Sequence, residues 1–177
     1  CVAISRPLKT SYSKGIALVI SSYKFNSFPS DLSKEHYLLN LLLSKRIPKT
    51  DLWSHDCSYM IRNVSVPLGT PNLVTTCFSV ECLLDCIETD ESIKIQAVRS
   101  LQAILSTFTF KQIPSEHAGC FMYTTKSGDY IHNANLMCAA LLARATSYGL
   151  LSTKHTKGLI KKAVAYSLND FELTGSF

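Results

Sequence analysis

The feature that most constrains the fold is an apolar stripe at helical spacing, which recurs in six segments of the chain. The clearest stripe lies between residues 90 and 109 and consists of Ile93, Ala97, Leu101, Ile104, Leu105 and Phe108. Side chains spaced three and four residues apart share one face of an α-helix, and an apolar face of this kind is buried against another element. The chain is therefore predicted to be all-α.

The six helical segments fall into three pairs joined by short polar turns. Helical hairpins are predicted over residues 11–47, 70–109 and 133–169, with longer loops over 48–69 and 110–132. Thr70 followed by Pro71 predicts the start of the third helix, because proline favours the first helical position. Thr89 or Asp90 is expected to cap the fourth helix, and Gly149 to follow the fifth.

Parts of this pattern repeat along the chain. The segment CLLD at 82–85 corresponds to ALLA at 140–143, and AV at 97–98 corresponds to AV at 163–164, a spacing of about 58 to 66 residues. Helix pairs repeated at such a period bury their apolar faces on their neighbours. The repeat indicates an arc of about three hairpins within a single domain over residues 1–177.

The second long loop differs from the helical background. Apolar residues alternate around Phe121 and Tyr123, a glycine-containing turn follows at 127–129, and Ile131 continues an extended run. This pattern predicts a small β-hairpin between the second and third helical hairpins. The segment HNAN at 132–135 follows, and the fifth helix is predicted over residues 135–148, where an asparagine side chain can cap free N–H groups at its start.

Composition narrows the class of protein. No apolar run reaches the roughly 18 residues of a membrane-spanning helix, so no span is expected. The seven cysteines match no zinc or disulfide spacing and are interpreted as small core residues in a reducing compartment, the cytoplasm. Phosphate-loop and dinucleotide glycine patterns are absent, and neither a cofactor nor a metal is expected.

The charge pattern argues against a nucleic-acid partner. The net charge is +5, and the densest basic cluster is on the sixth helix, at Lys154, Lys157, Lys161 and Lys162. No aromatic residues interleave with these lysines, as they would in a single-strand-binding surface. A solvated helix face is the ordinary explanation, and an anionic glycan or phosphate is the alternative.

Four motifs resemble those of a family. They are the aromatic-rich loop at 53–62, PLGTP at 67–71, FMYT at 121–124 and HNANL at 132–136. In order and spacing they are similar to a poorly characterised group of α/α-toroid proteins associated with bacterial and archaeal polysaccharide biosynthesis. The wider toroid class includes six-hairpin glycosidases, terpenoid cyclases and prenyltransferases. The resemblance implies a partial α/α toroid that acts on or binds a polysaccharide or its precursor.

A toroid collects its inter-hairpin loops around one pocket, and the resemblance therefore implies a set of site residues. Catalytic candidates are His132, Tyr123 and Asp56, with His132 as the general base. Candidate sugar-binding residues are Trp53, His55, Tyr59, Arg62, Asn133 and Asn135. Aromatic rings would cover the apolar side of a sugar, and the polar groups would bind its hydroxyls or a carboxylate. Five of them also have a structural alternative: helix capping for His132, Asn133 and Asn135, core packing for Trp53, and loop bracing for Arg62.

The sequence does not decide between an enzyme and a binding protein. Hydrolysis of a glycosidic bond needs two carboxylates that flank it, and the loops offer only Asp56, Glu116 and Asp129, with no recognisable pair. Ser58, Tyr59 and Met60 also stand where the resembling group carries Asp-Trp-Gln. The two hypotheses are a polysaccharide-active hydrolase, lyase or epimerase, and a non-catalytic scaffold that binds a glycan or protein.

The ends of the sequence suggest that it is a piece of a longer protein. It begins at Cys1 without methionine and stops inside a segment that resembles the stop after each hairpin of a toroid. A half-toroid exposes the flanks of its terminal hairpins. Self-association through this open edge is therefore expected.

Overall fold

In the computed structural model, residues 11–25, 32–61, 63–88, 90–113, 117–126, 128 and 130–174 are described, without the side chains of 172–174. This part of the chain forms six helices and four short strands. In order they are α1 (Ser13–Phe25), α2 (Leu32–Ser44), β1 (Tyr59–Ile61), β2 (Val64–Val66), α3 (Leu73–Asp85), α4 (Glu91–Thr107), β3 (Phe110–Ile113), β4 (Ala118–Phe121), α5 (His132–Ser147) and α6 (Thr153–Thr174).

The helices form three antiparallel pairs, as the periodicity predicts. α1 packs on α2, α3 on α4 and α5 on α6, while α3 also contacts both α1 and α5. α3 is thus the central helix, and most of its residues are buried. The mostly helical class and the three pairings are confirmed, and the segments CLLD and ALLA of the sequence repeat lie in α3 and α5.

Helices α1, α3 and α5 run in the same direction. Asp85, at the end of α3, accepts hydrogen bonds from Ser21 of α1 and from Arg144 of α5, and all three residues lie in the second half of their helices. Arg144 also pairs with Glu81. The other ends of these helices therefore lie together, and the loop 48–72 leads into α3 there while the loop 110–131 leads into α5.

Of the four helix-end predictions, those for Asp90 and Gly149 are confirmed, and those for the starts of α3 and α5 are wrong. Asp90 caps α4 by accepting from the backbone N–H of Ser92, and Gly149 follows α5 with a positive φ of 70°. The third helix does not start at Thr70 and Pro71. Its cap is Asn72, whose side chain accepts from Thr75 N, because Pro71 is held in an extended bridge with Ser54.

The fifth helix begins earlier than predicted, and no asparagine caps it. α5 starts at His132, after Ile131, and no side chain caps it. The Asn135 amide is unavailable for capping because it is buried and bonds to β4 and α6. The expected cap is therefore replaced by a tertiary contact.

The β-hairpin before α5 uses strands other than those predicted. β3 pairs antiparallel with β4, placing Phe110 opposite Phe121, whereas an isolated bridge between Met122 and Tyr130 spans the predicted turn. Ser127 and Asp129 lie outside the described residues. The two phenyl rings meet edge to face at 4.7 Å. Gly119 permits this packing, since a Cβ there would collide with the Phe110 ring.

The first long loop also contains a strand pair, which its weak periodicity did not reveal. β1 pairs with β2 in the register Tyr59 to Val66, and Arg62 between them lies outside the described residues. Because each strand is only three residues long, the alternation is too short to be read from sequence. Within the residues that the structure describes, no helix is both long and apolar enough to cross a membrane.

Candidate functional site

The two long loops meet at the start of α3. The Asn72 Nδ2 group donates to the Tyr59 hydroxyl at 3.0 Å, and Asn72 forms an extended bridge with Thr124 of the second loop. The backbone N–H of Leu73 donates to the Tyr123 carbonyl at 3.0 Å. One cap residue therefore joins β1 to the segment that follows β4, and the structure brings Tyr59 and Tyr123 together.

Tyr59 lies in a half-buried environment. Burial and the neighbouring Tyr123 raise the pKa of Tyr59 to about 12, although the hydrogen bond from Asn72 opposes this. The His55 ring meets the Tyr59 ring edge to face at 4.6 Å. Burial also lowers the pKa of His55, although the Asp56 charge partly offsets this. Near neutral pH both side chains are therefore uncharged hydrogen-bonding groups.

An open groove of about 420 Å³ lies beside this cluster. We call it the α1–α3 groove, because it runs between the first turns of α1 and α3. Tyr12, Lys14 and Leu18 line one wall, and His55 and Thr75 line the other. The sequence offered no sign that Tyr12 and Lys14 belong to a site, because they are brought there only by the packing of α1 on α3.

Asp56 borders the groove with both of its carboxylate oxygens occupied. Oδ2 accepts from the backbone N–H of Ser13 at 2.7 Å, and Oδ1 accepts from Lys45 Nζ at 2.8 Å. Ser13 is the first residue of α1, so Asp56 satisfies a free N–H at a helix start, where negative charge is favourable. This gives Asp56 a structural role and leaves the groove without a free carboxylate from this residue.

Trp53 is part of the core. Its side chain is fully buried, and the indole Nε1 donates to the Leu42 carbonyl at 2.8 Å. The Arg46 guanidinium lies over the ring at 5.0 Å from its centre. No face of the indole is therefore open to a sugar, and the structure places Trp53 in the alternative, core role.

His132 contacts helix α6. Its Nδ1 is 3.2 Å from the Ser167 hydroxyl, its Nε2 is 3.0 Å from Asp170 Oδ2, and its ring stacks on Tyr166. A serine, a histidine and an aspartate also form hydrolase triads, but there the serine must reach the substrate. Ser167 is only 1% exposed. The cluster therefore serves to join α5 to α6.

The two asparagines of the HNAN segment have opposite environments. Asn135 is fully buried, accepts from Phe121 N at 3.1 Å through Oδ1 and donates to the Ala163 carbonyl at 2.8 Å through Nδ2. Asn133 is exposed on α5. Asn135 thus holds β4, α5 and α6 together, and only Asn133 is accessible to a ligand.

The described cysteines and acidic residues do not form a metal site. No group of three histidine, cysteine, aspartate or glutamate side chains within the described ranges could hold a metal ion. Five of the six cysteines that the structure describes are buried, and Cys57 at the groove is exposed. Burial raises the pKa of Cys120 to about 12, so this thiol is unreactive near neutral pH.

The fold and the site define the chain as a protein of three packed helical hairpins whose two inter-hairpin loops join beside an open groove. Comparison with protein-family models, curated proteins and solved structures finds no match.

The shifted pKa of Tyr59 predicts a specific loss of stability in alkaline solution. In the unfolded chain Tyr59 ionises near pH 10, while in the folded protein it stays neutral until about pH 12. The unfolded state therefore loses this proton first, and stability falls as pH rises from about 10 to 12. The Tyr59→Phe variant should lose this part of the pH dependence. Denaturant unfolding of both proteins between pH 8 and 11.5 measures it, and parallel curves would contradict the prediction.

Proposed function

We propose that this chain is a partial α/α toroid that binds a polysaccharide, or a precursor of one, in the α1–α3 groove. The observation that carries the proposal is the convergence of both inter-hairpin loops at Tyr59, Asn72 and Tyr123, beside a groove of about 420 Å³. Clefts of this size, with an apolar surface and a few polar groups, are typical of small-ligand sites.

The groove offers chemistry suited to a sugar. Tyr12 supplies an exposed ring for the apolar face of a pyranose, and the neutral His55 can donate or accept hydrogen bonds with hydroxyl groups. Lys14 lines the same wall, and its ammonium lies over the Phe78 ring at 4.4 Å from the ring centre. An acidic sugar unit, such as a hexuronate, is therefore the favoured ligand, because its carboxylate can pair with the lysine.

Binding is favoured over catalysis by the state of the candidate catalytic groups. Of the catalytic candidates, Asp56 has both oxygens occupied and His132 lies between α5 and α6, and the binding candidate Tyr59 stays protonated near neutral pH because its pKa is raised. A general base must reach the substrate in its unprotonated form. Hydrolase, lyase or epimerase activity would thus depend on groups other than these three.

Exposed apolar residues on α1 support the alternative function, a non-catalytic scaffold. Leu18, Val19 and Phe25 are 48%, 44% and 76% exposed, and they lie on the first helix of the arc. Apolar residues at this flank suit association with further protein, including a second copy of the chain. The six described cysteines are free thiols, which supports a reducing location such as the cytoplasm.

Sugar binding is tested by titrating the protein with two tetrasaccharides, one of hexuronate units and one of neutral glucose units. Isothermal titration calorimetry should detect the acidic tetrasaccharide, with weaker or no heat from the neutral one. The His55→Ala and Lys14→Ala variants should each weaken binding by roughly tenfold, because each removes one polar contact with the ligand.

The matched control is His155→Ala, which removes an exposed histidine of α6 far along the chain from the groove. Its affinity for the acidic tetrasaccharide should equal that of the unchanged protein. The absence of binding at millimolar sugar, or equal losses in all three variants, would contradict the proposed groove.

A further inference from the structure

One exposed side of α6 carries lysines in its first half and apolar residues in its second half. Residues on this side recur at alternating steps of three and four: Lys154, Lys157, Lys161, Val164, Leu168 and Phe171. The first three are exposed lysines, and the last three are apolar residues that are 37%, 50% and 43% exposed. We call this set the α6 stripe. A strict 3–4 spacing forms a narrow seam, which is the geometry by which two helices pair.

The α6 stripe lies apart from the buried residues of α6. α6 packs on α5 and β4, and the buried residues among its described side chains are Thr156, Ala163 and Ser167. None of these belongs to the stripe. The lysines and exposed apolar residues of the stripe therefore contribute little to the core of this domain.

A groove of about 380 Å³ runs beside the lysine half of the stripe. Lys157, Ile160 and Lys161 form its α6 wall, and Ala143 and Ser147 of α5 form the other. The small side chains of α5 leave the space open, while Ile160 supplies an apolar floor. A helical segment can lie in such a groove with its own side chains between the two walls.

We propose that the α6 stripe is a docking site for an amphipathic helix of a partner protein. The partner helix carries acidic residues at 3–4 spacing opposite the three lysines and apolar residues opposite Val164, Leu168 and Phe171. Opposite charges would set its register and speed its association, and the apolar half would supply most of the affinity.

Charge argues against a second copy of α6 as the occupant. A parallel pair of stripes would place lysine opposite lysine, and an antiparallel pair would place Lys154 opposite Phe171 and Lys157 opposite Leu168. Both arrangements are unfavourable, the first by repulsion and the second by burying unpaired charge. An acidic partner helix can pair with the lysines whether it lies parallel or antiparallel to α6.

The order of the lysines and the apolar residues along α6 also favours a partner helix over a membrane surface. Helices that lie on a bilayer separate apolar and cationic residues around the helix axis, so that one side is inserted along the whole length. The α6 stripe separates them along the axis. A partner helix with the same division along its length matches this pattern.

The test uses a synthetic helical peptide with three glutamates at 3–4 spacing followed by three leucines at the same spacing. Its fluorescence anisotropy should show saturable binding to the protein that weakens with added salt. The paired Lys157→Glu and Lys161→Glu substitutions should weaken binding on the order of tenfold or more, and a peptide with lysines in place of the glutamates should restore it. The Leu168→Ser variant should lose roughly tenfold at any salt concentration.

Three controls make the result decisive. Lys126→Glu changes an exposed lysine outside the stripe and should leave peptide binding unchanged. A peptide of equal composition with glutamates and leucines alternating along the seam should bind at least several-fold more weakly. Circular dichroism confirms that each variant is folded. Equal binding of both peptides, no binding of either, or no rescue by the charge-swapped peptide would overturn the proposal.

Two further measurements address other occupants. Co-sedimentation with vesicles of phosphatidylserine and phosphatidylcholine should show no binding that depends on Leu168. Sedimentation velocity should show no self-association that is abolished by Leu168→Ser. Stripe-dependent binding to vesicles, or stripe-dependent dimers, without peptide binding would replace the partner helix with a membrane or a second copy.

Discussion

Replacement of Trp53 by alanine is expected to lower the free energy of unfolding by about 3–5 kcal/mol. The indole is fully buried, and its removal opens a cavity and leaves the Leu42 carbonyl without its donor. The guanidinium of Arg46, which lies over the ring, has two buried donor atoms without an acceptor among the described residues. Loss of the ring face therefore also removes an electrostatic partner of this cation.

Urea unfolding followed by circular dichroism measures the effect of Trp53→Ala. The Trp53→Phe variant keeps most of the buried ring and loses the Nε1 hydrogen bond, so it should lose only about 1–2 kcal/mol. If Trp53 were instead a sugar platform, both variants would weaken tetrasaccharide binding while leaving the unfolding transition nearly unchanged. That outcome would contradict the core assignment.

The second large effect is expected at Asn135. Its amide connects the backbone of Phe121 in β4 with the carbonyl of Ala163 in α6, and it is fully buried. The Asn135→Ala variant leaves one buried N–H and one buried carbonyl without these partners, at a cost of about 2–4 kcal/mol. Chemical denaturation of the variant and of the unchanged protein gives the difference.

Asn133 is the matched control, because it lies on the same helix two residues earlier and is exposed. Asn133→Ala should change the free energy of unfolding by less than about 0.5 kcal/mol. The Asn135→Asp variant adds a pH test. Its ionised form places a second oxygen against the Ala163 carbonyl, so the folded-state pKa of the new carboxyl is raised. Its stability relative to the unchanged protein should therefore be greater at pH 4 than at pH 7. Equal effects of Asn133→Ala and Asn135→Ala would contradict the bridging role.

Helix positions could be predicted because they depend on neighbouring residues. The stripe from Ile93 to Phe108 indicates α4 without reference to the rest of the chain, and Asp90 and Gly149 mark helix ends through local geometry. The third helix shows the limit of this reasoning. Thr70 and Asn72 are both suitable caps, and the bridge between Pro71 and Ser54 selects Asn72. The choice depends on a residue in another loop, which local sequence does not reveal.

The candidate site could be predicted only in part. The sequence indicated that the two long loops lie at one end of the hairpins, and the contacts of Asn72 with Tyr59 and Thr124 agree. It did not indicate that Tyr12 and Lys14 line the groove, because their only local signal is their position at the start of α1. Tyr12 and Lys14 line the groove because α1 packs on α3.

By itself, the sequence determined the helical class, the three hairpins and the loops between them, because periodicity and turn residues act over a few neighbouring positions. Only the tertiary structure decided what the polar side chains do. Asp56 caps a helix that starts 43 residues earlier, and His132 bonds to a serine 35 residues later. A polar group is useful for binding or catalysis only when the fold leaves it unsatisfied and accessible. That condition depends on partners distant in the chain, which bury Trp53 and Asn135 and leave the α1–α3 groove open.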